Sequence, residues 1–267
     1  MSTLHVSFWA QALARPAEFY LVKPDKFLPP FLADNPHYKR PTKTLILLHG
    51  FSGDCHDWLY NGGASNLSMQ YNLAVVMPTG GVSFYLDQPA TGHNYCSLIG
   101  DELINYLRDT FGLAQTPEDT WIGGASMGGF GAIHTALAFP DRFSGVVALS
   151  SALIIHQLPK MESGVGNPMA NYAYYVETFG DLKTAEERDC NPELLYKQAA
   201  AAGKKLPRIY MACGTEDFLM AENRNMRDFL AEQKADFIYK EGPGVHDWSF
   251  WIPRSNEGIR WLLNEEV

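Results

Sequence analysis

The sequence predicts an α/β fold: a mostly parallel, twisted sheet with helices on both faces and a cap-like insertion. Three observations predict it. Short continuous apolar runs recur along the chain, each ends at glycine, proline or serine, and helix-like stretches fill the gaps between them. Continuous apolar runs suit strands buried on both faces, and alternation with helical stretches suits parallel strands joined by crossover helices.

The chain opens with alternating apolar residues in Leu4–Phe8 and Glu18–Val22, read as a strand pair. Lys23–Thr42 carries Pro24, Pro29, Pro30, Pro36 and Pro41 and is read as a loop, because proline removes ladder donors. Thr44–Leu48 is the first buried strand and runs into His49-Gly50. Leu73–Met77, Thr120–Gly123, Gly145–Leu149, Arg208–Ala212 and Phe237–Tyr239 repeat the pattern. Gly100–Phe111, Gly128–Phe139, Met220–Lys234 and Ser249–Leu263 read as helices between or after them. Ala152–Lys205 breaks the alternation: it lacks a clear strand, holds a helix-like piece at Pro192–Ala202, and is rich in Met and Tyr. Long insertions in compact domains tend to be functional, as lids or binding loops. Extra core packing or an oligomer contact is the plainer reading.

The 267 residues suit one α/β unit or two small domains. Hydrophobic residues are 46% and charged residues 19%, which excludes a largely disordered chain. With 21 Lys+Arg against 30 Asp+Glu the formal net charge is −9, a bias against nucleic-acid partners. Cys55, Cys96, Cys190 and Cys213 form no C-x-x-C pair, and they are expected to be reduced thiols. No apolar run is long enough to span a membrane, and the N-terminal segment lacks a basic region before an apolar core. A cytoplasmic protein is the expectation.

The strongest chemical signal is Gly124-Ala125-Ser126-Met127-Gly128, a G-x-S-x-G placed after one apolar strand and before one helix. That context is what a nucleophile elbow requires, with the hydroxyl held exposed at the strand's end. A serine needs a base, oriented by a third group. In this kind of fold the acid and then the histidine follow the nucleophile in chain order. Glu216 and Asp217 follow the Arg208–Ala212 strand and are both candidate acids. His246 follows the last strand on a Gly/Pro loop and is the candidate base; the other seven histidines fit that order less well. The oxyanion of acyl transfer needs two N–H donors. Met127 supplies one, and the loop after the first buried strand supplies the other, with Phe51 preferred and Ser52 its neighbour. His49 reads as a loop-shaping residue. Asp54, His56 and Asp57 are not read as a metal site, since no distal ligand set accompanies them. Neither glycine pair, Gly62-Gly63 or Gly80-Gly81, carries the Lys-Ser/Thr of a phosphate loop.

With these residues in place the sequence resembles the α/β-hydrolase superfamily, and within it the esterase D-like group, especially the bacterial tributyrin esterases and related acetyl and feruloyl esterases. LLHGFSG (47–53), GGASMGGFGA (123–132), FPDRFSGVVALS (139–150), CGTEDFL (213–219) and GVHDWSFW (244–251) carry the resemblance, which extends from about Phe8 to the C-terminus. It implies Ser126 as nucleophile, Asp217 as acid and His246 as base. It also implies carboxylic-ester hydrolysis without a cofactor or metal, on a small-molecule ester, and is compatible with a homo-oligomer. S-formylglutathione hydrolases and secreted mycolyltransferases share the wider pattern, so thioester hydrolysis is the first rival. A non-catalytic binding protein of the same fold is the second, disfavoured because all three triad residues are present. The order Ser126, Asp217, His246 needs one sheet, so the chain is expected to be a single domain, 1–267, with the insertion at about 152–205. Trp248, Tyr172, Tyr174 and Tyr175 are expected to shape the substrate pocket, core packing being their bland reading.

Overall fold

The computed structural model describes residues 1–25, 30–32, 34–164 and 169–267. Of the residues discussed above, Pro29 and the stretch 165–168 of the insertion lie outside them.

The strands are β1 (Ser2–Ala10), β2 (Arg15–Lys23), β3 (Lys43–Leu48), β4 (Leu73–Pro78), β5 (Asp87–Gln88), β6 (His93–Asn94), β7 (Thr120–Ala125), β8 (Gly145–Leu149), β9 (Arg208–Gly214) and β10 (Phe237–Gly242). Eight of them form one sheet in the order β1-β2-β4-β3-β7-β8-β9-β10, and β5 and β6 form a small separate ribbon. β1 pairs antiparallel with β2, from Ser2 opposite Lys23 to Ala10 opposite Arg15, and β2 joins β4 antiparallel. From β4 to β10 every pairing is parallel.

The helices are α1 (Asp57–Tyr60), α2 (Ala64–Tyr71), α3 (Tyr95–Ser97), α4 (Leu103–Phe111), α5 (Met127–Ala138), α6 (Tyr172–Phe179), α7 (Pro192–Ala201), α8 (Met220–Glu232) and α9 (Trp248–Leu262). Because side chains alternate along a strand, the sheet feeds two cores. Ile46, Leu48, Ile122, Val146 and Met211 pack on one face with α4 to α8, whereas Leu45, Leu47, Trp121, Val147 and Tyr210 pack on the other with α1, α2 and α9. The α4 region differs from the expected single helix over Gly100–Phe111. A π-turn, Leu98–Glu102, precedes the regular helix. The Gly100 backbone there lies against the Phe139 ring, with no room for a Cβ.

The chain runs from β3 outward to β4, then returns to the other side of β3 to lay down β7 to β10. Strand order therefore reverses between β3 and β7. Ligands of open parallel sheets bind in the crevice at such a reversal, beyond the strands' C-terminal ends. Among the described residues, 152–205 holds no strand. It folds into α6, α7 and the short turns Ile154–His156, Leu158–Lys160 and Leu182–Glu187. The four cysteines are buried and free. No helix of the described residues is long and apolar enough to cross a membrane.

Candidate active site

The crevice at the strand reversal is where Ser126 sits. It stands between β7 and α5 with φ 58° and ψ −121°, a strained backbone for a residue with a side chain. Backbone packing enforces the turn. A Cβ on Gly124 would lie 2.5 Å from the Gly128 carbonyl, and one on Gly128 would lie 2.2 Å from the Leu48 carbonyl oxygen. Glycine is needed at both places because backbone, not a movable side chain, fills the space. The Ser126 N–H donates to the Leu149 carbonyl (2.9 Å), and its carbonyl accepts from Ala152 N–H (3.0 Å), tying the turn to the end of β8.

Asp217 lies in the turn after β9 and His246 after β10, at the same end of the sheet. His246 Nδ1 is 2.8 Å from Asp217 Oδ2 and 3.1 Å from Oδ1. A carboxylate can only accept, so Nδ1 carries the proton and Nε2 presents a lone pair. The Asp217 side chain is fully buried. Burial alone would raise its pKa, but hydrogen bonds from His246, the Leu219 N–H and Ser150 outweigh it and hold the carboxyl below its ordinary value. The imidazole packs edge-on to Trp251 at 5.0 Å, and Trp251 Nε1–H donates to Ser150 Oγ at 3.0 Å. Asp247, the next residue, caps α9 by accepting from the Ser249 and Phe250 N–H groups, which anchors the loop bearing His246. Glu216, the alternative acid, faces elsewhere: it accepts from Gly244 N–H at 2.7 Å and from the Thr215 hydroxyl.

The loop after β3 is held by two pins. Trp58 Nε1–H donates to the Leu48 carbonyl (2.9 Å). His49, buried, donates from Nδ1 to the Gly50 carbonyl (2.7 Å) and accepts at Nε2 from Gly80 N–H (2.8 Å). Burial holds its imidazole below the ordinary pKa, as that accepting role requires. His49 thus shapes the loop, as read from the sequence. Phe51 N–H and Met127 N–H, one from each side of the strand reversal, meet no acceptor among the described residues. The Ser126 hydroxyl has no hydrogen-bond partner there either.

A cavity of about 450 Å³ opens beside Ser126, walled by Phe51, Phe84, Ile154, Met161, Tyr175 and Leu219, with Gln157 its one amide among the described residues. Of the four residues expected on the pocket wall, Tyr175 lines it. Tyr174 stands behind, its ring edge on Phe51 at 5.3 Å and its hydroxyl donating to the Val82 carbonyl. Tyr172 is half-buried against the α4–α8 core. Trp248 packs edge-on to Trp58 (4.9 Å) and Trp251 (5.1 Å) and is not among the wall residues. Sequence reading missed Phe84, Ile154, Met161, Gln157 and Phe218; the last was visible only as the neighbour of Asp217 in CGTEDFL. The Asp54 and His56 side chains pair at 2.9 Å on the exposed loop, and with Cys55 Sγ their donor atoms lie within 4.8 Å of one another; Asp57 turns toward Gly53 instead. A separate cavity of about 530 Å³, next to His134 and Cys190, includes none of Ser126, Asp217 or His246.

An elbow serine at the strand reversal, with a mostly parallel sheet and helices on both faces, defines the α/β-hydrolase class. The chain belongs to the family described as "Putative esterase", which it matches over residues 10–262. It is 37% identical to an acetyl esterase of Caldicellulosiruptor saccharolyticus over 267 residues, covering 98% of each chain. Its structure superposes on a substrate-bound, fluorophosphonate-binding serine hydrolase of Staphylococcus aureus with a TM-score of 0.83, at 27% identity and 99% coverage of both chains. It superposes on an S-formylglutathione hydrolase from the same organism at TM-score 0.80 and 27% identity, over 99% of this chain and 100% of that one. The protein is a serine hydrolase acting on ester bonds.

Proposed function

We propose that the protein hydrolyses short-chain acyl esters, of the tributyrin, acetyl or feruloyl esterase kind, through Ser126, His246 and Asp217. The observation that carries this reading is the His246–Asp217 hydrogen bond of 2.8 Å at the same sheet end as the strained Ser126 elbow. Ser126 Oγ attacks the ester carbonyl while His246 Nε2 takes its proton. Asp217 keeps the imidazole in its tautomer and offsets the positive charge. The N–H groups of Phe51 and Met127 receive the oxyanion, having no other acceptor among the described residues. His246 then protonates the departing alcohol, and a water repeats the steps to release the acid. The chain acts as one domain, and the 152–205 stretch serves as its cap, since Ile154, Gln157, Met161 and Tyr175 all belong to it.

Thioester hydrolysis is the second reading, favoured by the likeness to an S-formylglutathione hydrolase. We rank it below ester hydrolysis because the apolar wall of the cavity suits an alkyl acyl chain such as butyryl better than a formyl group. Ser126→Ala should lower kcat/KM on p-nitrophenyl butyrate by about a thousandfold or more, and wild type should bind fluorophosphonate covalently where the variant does not. Undiminished turnover by Ser126→Ala would sink the reading, and faster turnover of S-formylglutathione than of butyrate esters would reverse the ranking.

A further inference from the structure

The leaving alcohol has no binding residue among those assigned so far. Its oxygen takes a proton from His246 Nε2, so its carbon skeleton must lie against the imidazole. Three side chains surround that ring: Asp217 at Nδ1, Trp251 edge-on and mostly buried, and Phe218. Only Phe218 among these is open to solvent, at 65% exposure, with its ring centroid 4.6 Å from that of His246 and the planes at 43°. It also reaches the cavity that holds Ser126. Val245, on the other side of His246 in sequence, is 48% exposed. Of the two, only Phe218 has a ring contact with His246.

The backbone that carries Phe218 is held in place. Asp217 Oδ1 accepts from Leu219 N–H at 2.9 Å, and the Asp217 carbonyl accepts from Met220 N–H at 3.1 Å, so the backbone on either side of Phe218 is bound to the residue that orients the base. A flat apolar ring carried on held backbone beside the proton donor is placed where another flat face can pack on it.

We propose that Phe218 is a specificity-determining residue that stacks the ring of a cyclic alcohol, so that esters of flat-faced alcohols are preferred over esters of small aliphatic ones. The shared chemistry is an apolar ring face, whether of an aryl group or of a pyranose. The inference rests on the esterase reading of Ser126. The test compares wild type, Phe218→Ala and Phe218→Trp on three acetates: phenyl acetate, methyl 6-O-acetylglucoside and ethyl acetate. All pass through the same acetyl-enzyme, so kcat/KM reads the step in which the alcohol is still bound. For Phe218→Ala, the ring-ester to ethyl-ester ratio of kcat/KM should fall about tenfold, the size of one aromatic contact, chiefly through KM. Phe218→Trp should restore it. A fall confined to the phenyl ester identifies an aryl alcohol, and one confined to the glucoside a sugar. A ratio that does not move, or equal losses on all three esters, overturns the proposal. Wild type inactive on every ester would instead overturn the esterase reading beneath it.

Discussion

His156 cross-links the cap, and its removal has a calculable cost. Its Nδ1 lies 2.7 Å from Glu186 and its Nε2 2.9 Å from Glu193. Two carboxylates facing both ring nitrogens demand both protons. The Glu193 hydrogen bond first, and Glu186 with it, outweigh desolvation and raise the pKa from the ordinary 6.5 to about 9. Glu222 borders the same recess from α8. The imidazolium joins the turn Ile154–His156, the turn Leu182–Glu187 and the start of α7, and Ile154 and Gln157 beside it are cavity wall. At 1.36 kcal/mol per pH unit, the interval from 6.5 to about 9 corresponds to about 3 kcal/mol. The side chain is 38% exposed, so solvent screening reduces this to about 1–2 kcal/mol. Because the folded-state pKa is the higher one, the stabilisation is whole below pH 6.5, declines above it and is gone beyond about pH 9. Urea unfolding of wild type and His156→Gln at pH 6 should differ by about 1–2 kcal/mol, and at pH 10 by almost nothing. An equal difference at both pH values would refute the ion-pair argument and leave only packing.

Two further outcomes follow from the site. Asp217→Asn keeps the shape but cannot enforce the Nδ1–H tautomer, so kcat on p-nitrophenyl butyrate should drop by about 10³–10⁴; a loss below tenfold would show that another group orients His246. Gly128→Ala places a Cβ 2.2 Å from the Leu48 carbonyl oxygen, against backbone that cannot yield. It should destabilise the protein by about 3 kcal/mol or more, and thermal unfolding at the wild-type temperature would contradict the elbow argument.

The sheet was legible because buried parallel strands leave continuous apolar runs: Thr44–Leu48 and Arg208–Ala212 fall inside β3 and β9. The elbow was legible because Gly124 and Gly128 answer to a local backbone clash. Chain order pointed to His246 and left Glu216 and Asp217 open, and the resemblance singled out Asp217; the structure brings Asp217 and His246 into contact. The cavity wall was not legible. Phe84, Ile154 and Met161 come from turns without hydrophobic periodicity and Tyr175 from the separate helix α6, and convergence in space leaves no spacing to read. Aromatic character alone does not pick out wall residues: Trp248, two residues from His246, packs on Trp58 and Trp251, while Phe218, next to Asp217, borders the cavity. The ribbon of β5 and β6, two residues each, is too short to carry a pattern.

The strand reversal between β3 and β7 has a consequence for how the enzyme can diversify. The Ser126 turn is bound into the sheet's rim by backbone contacts to Leu48, Leu149 and Ala152, the last being the only one from 152–205 among the described residues. Half of the cavity wall, in contrast, including Ile154, Gln157, Met161 and Tyr175, comes from the chain between β8 and β9. On the proposed roles, the 152–205 stretch can vary that half of the wall without touching the backbone contacts that set the Gly124–Gly128 turn, while Phe51, Phe84 and Leu219 keep the other half on the sheet's own loops.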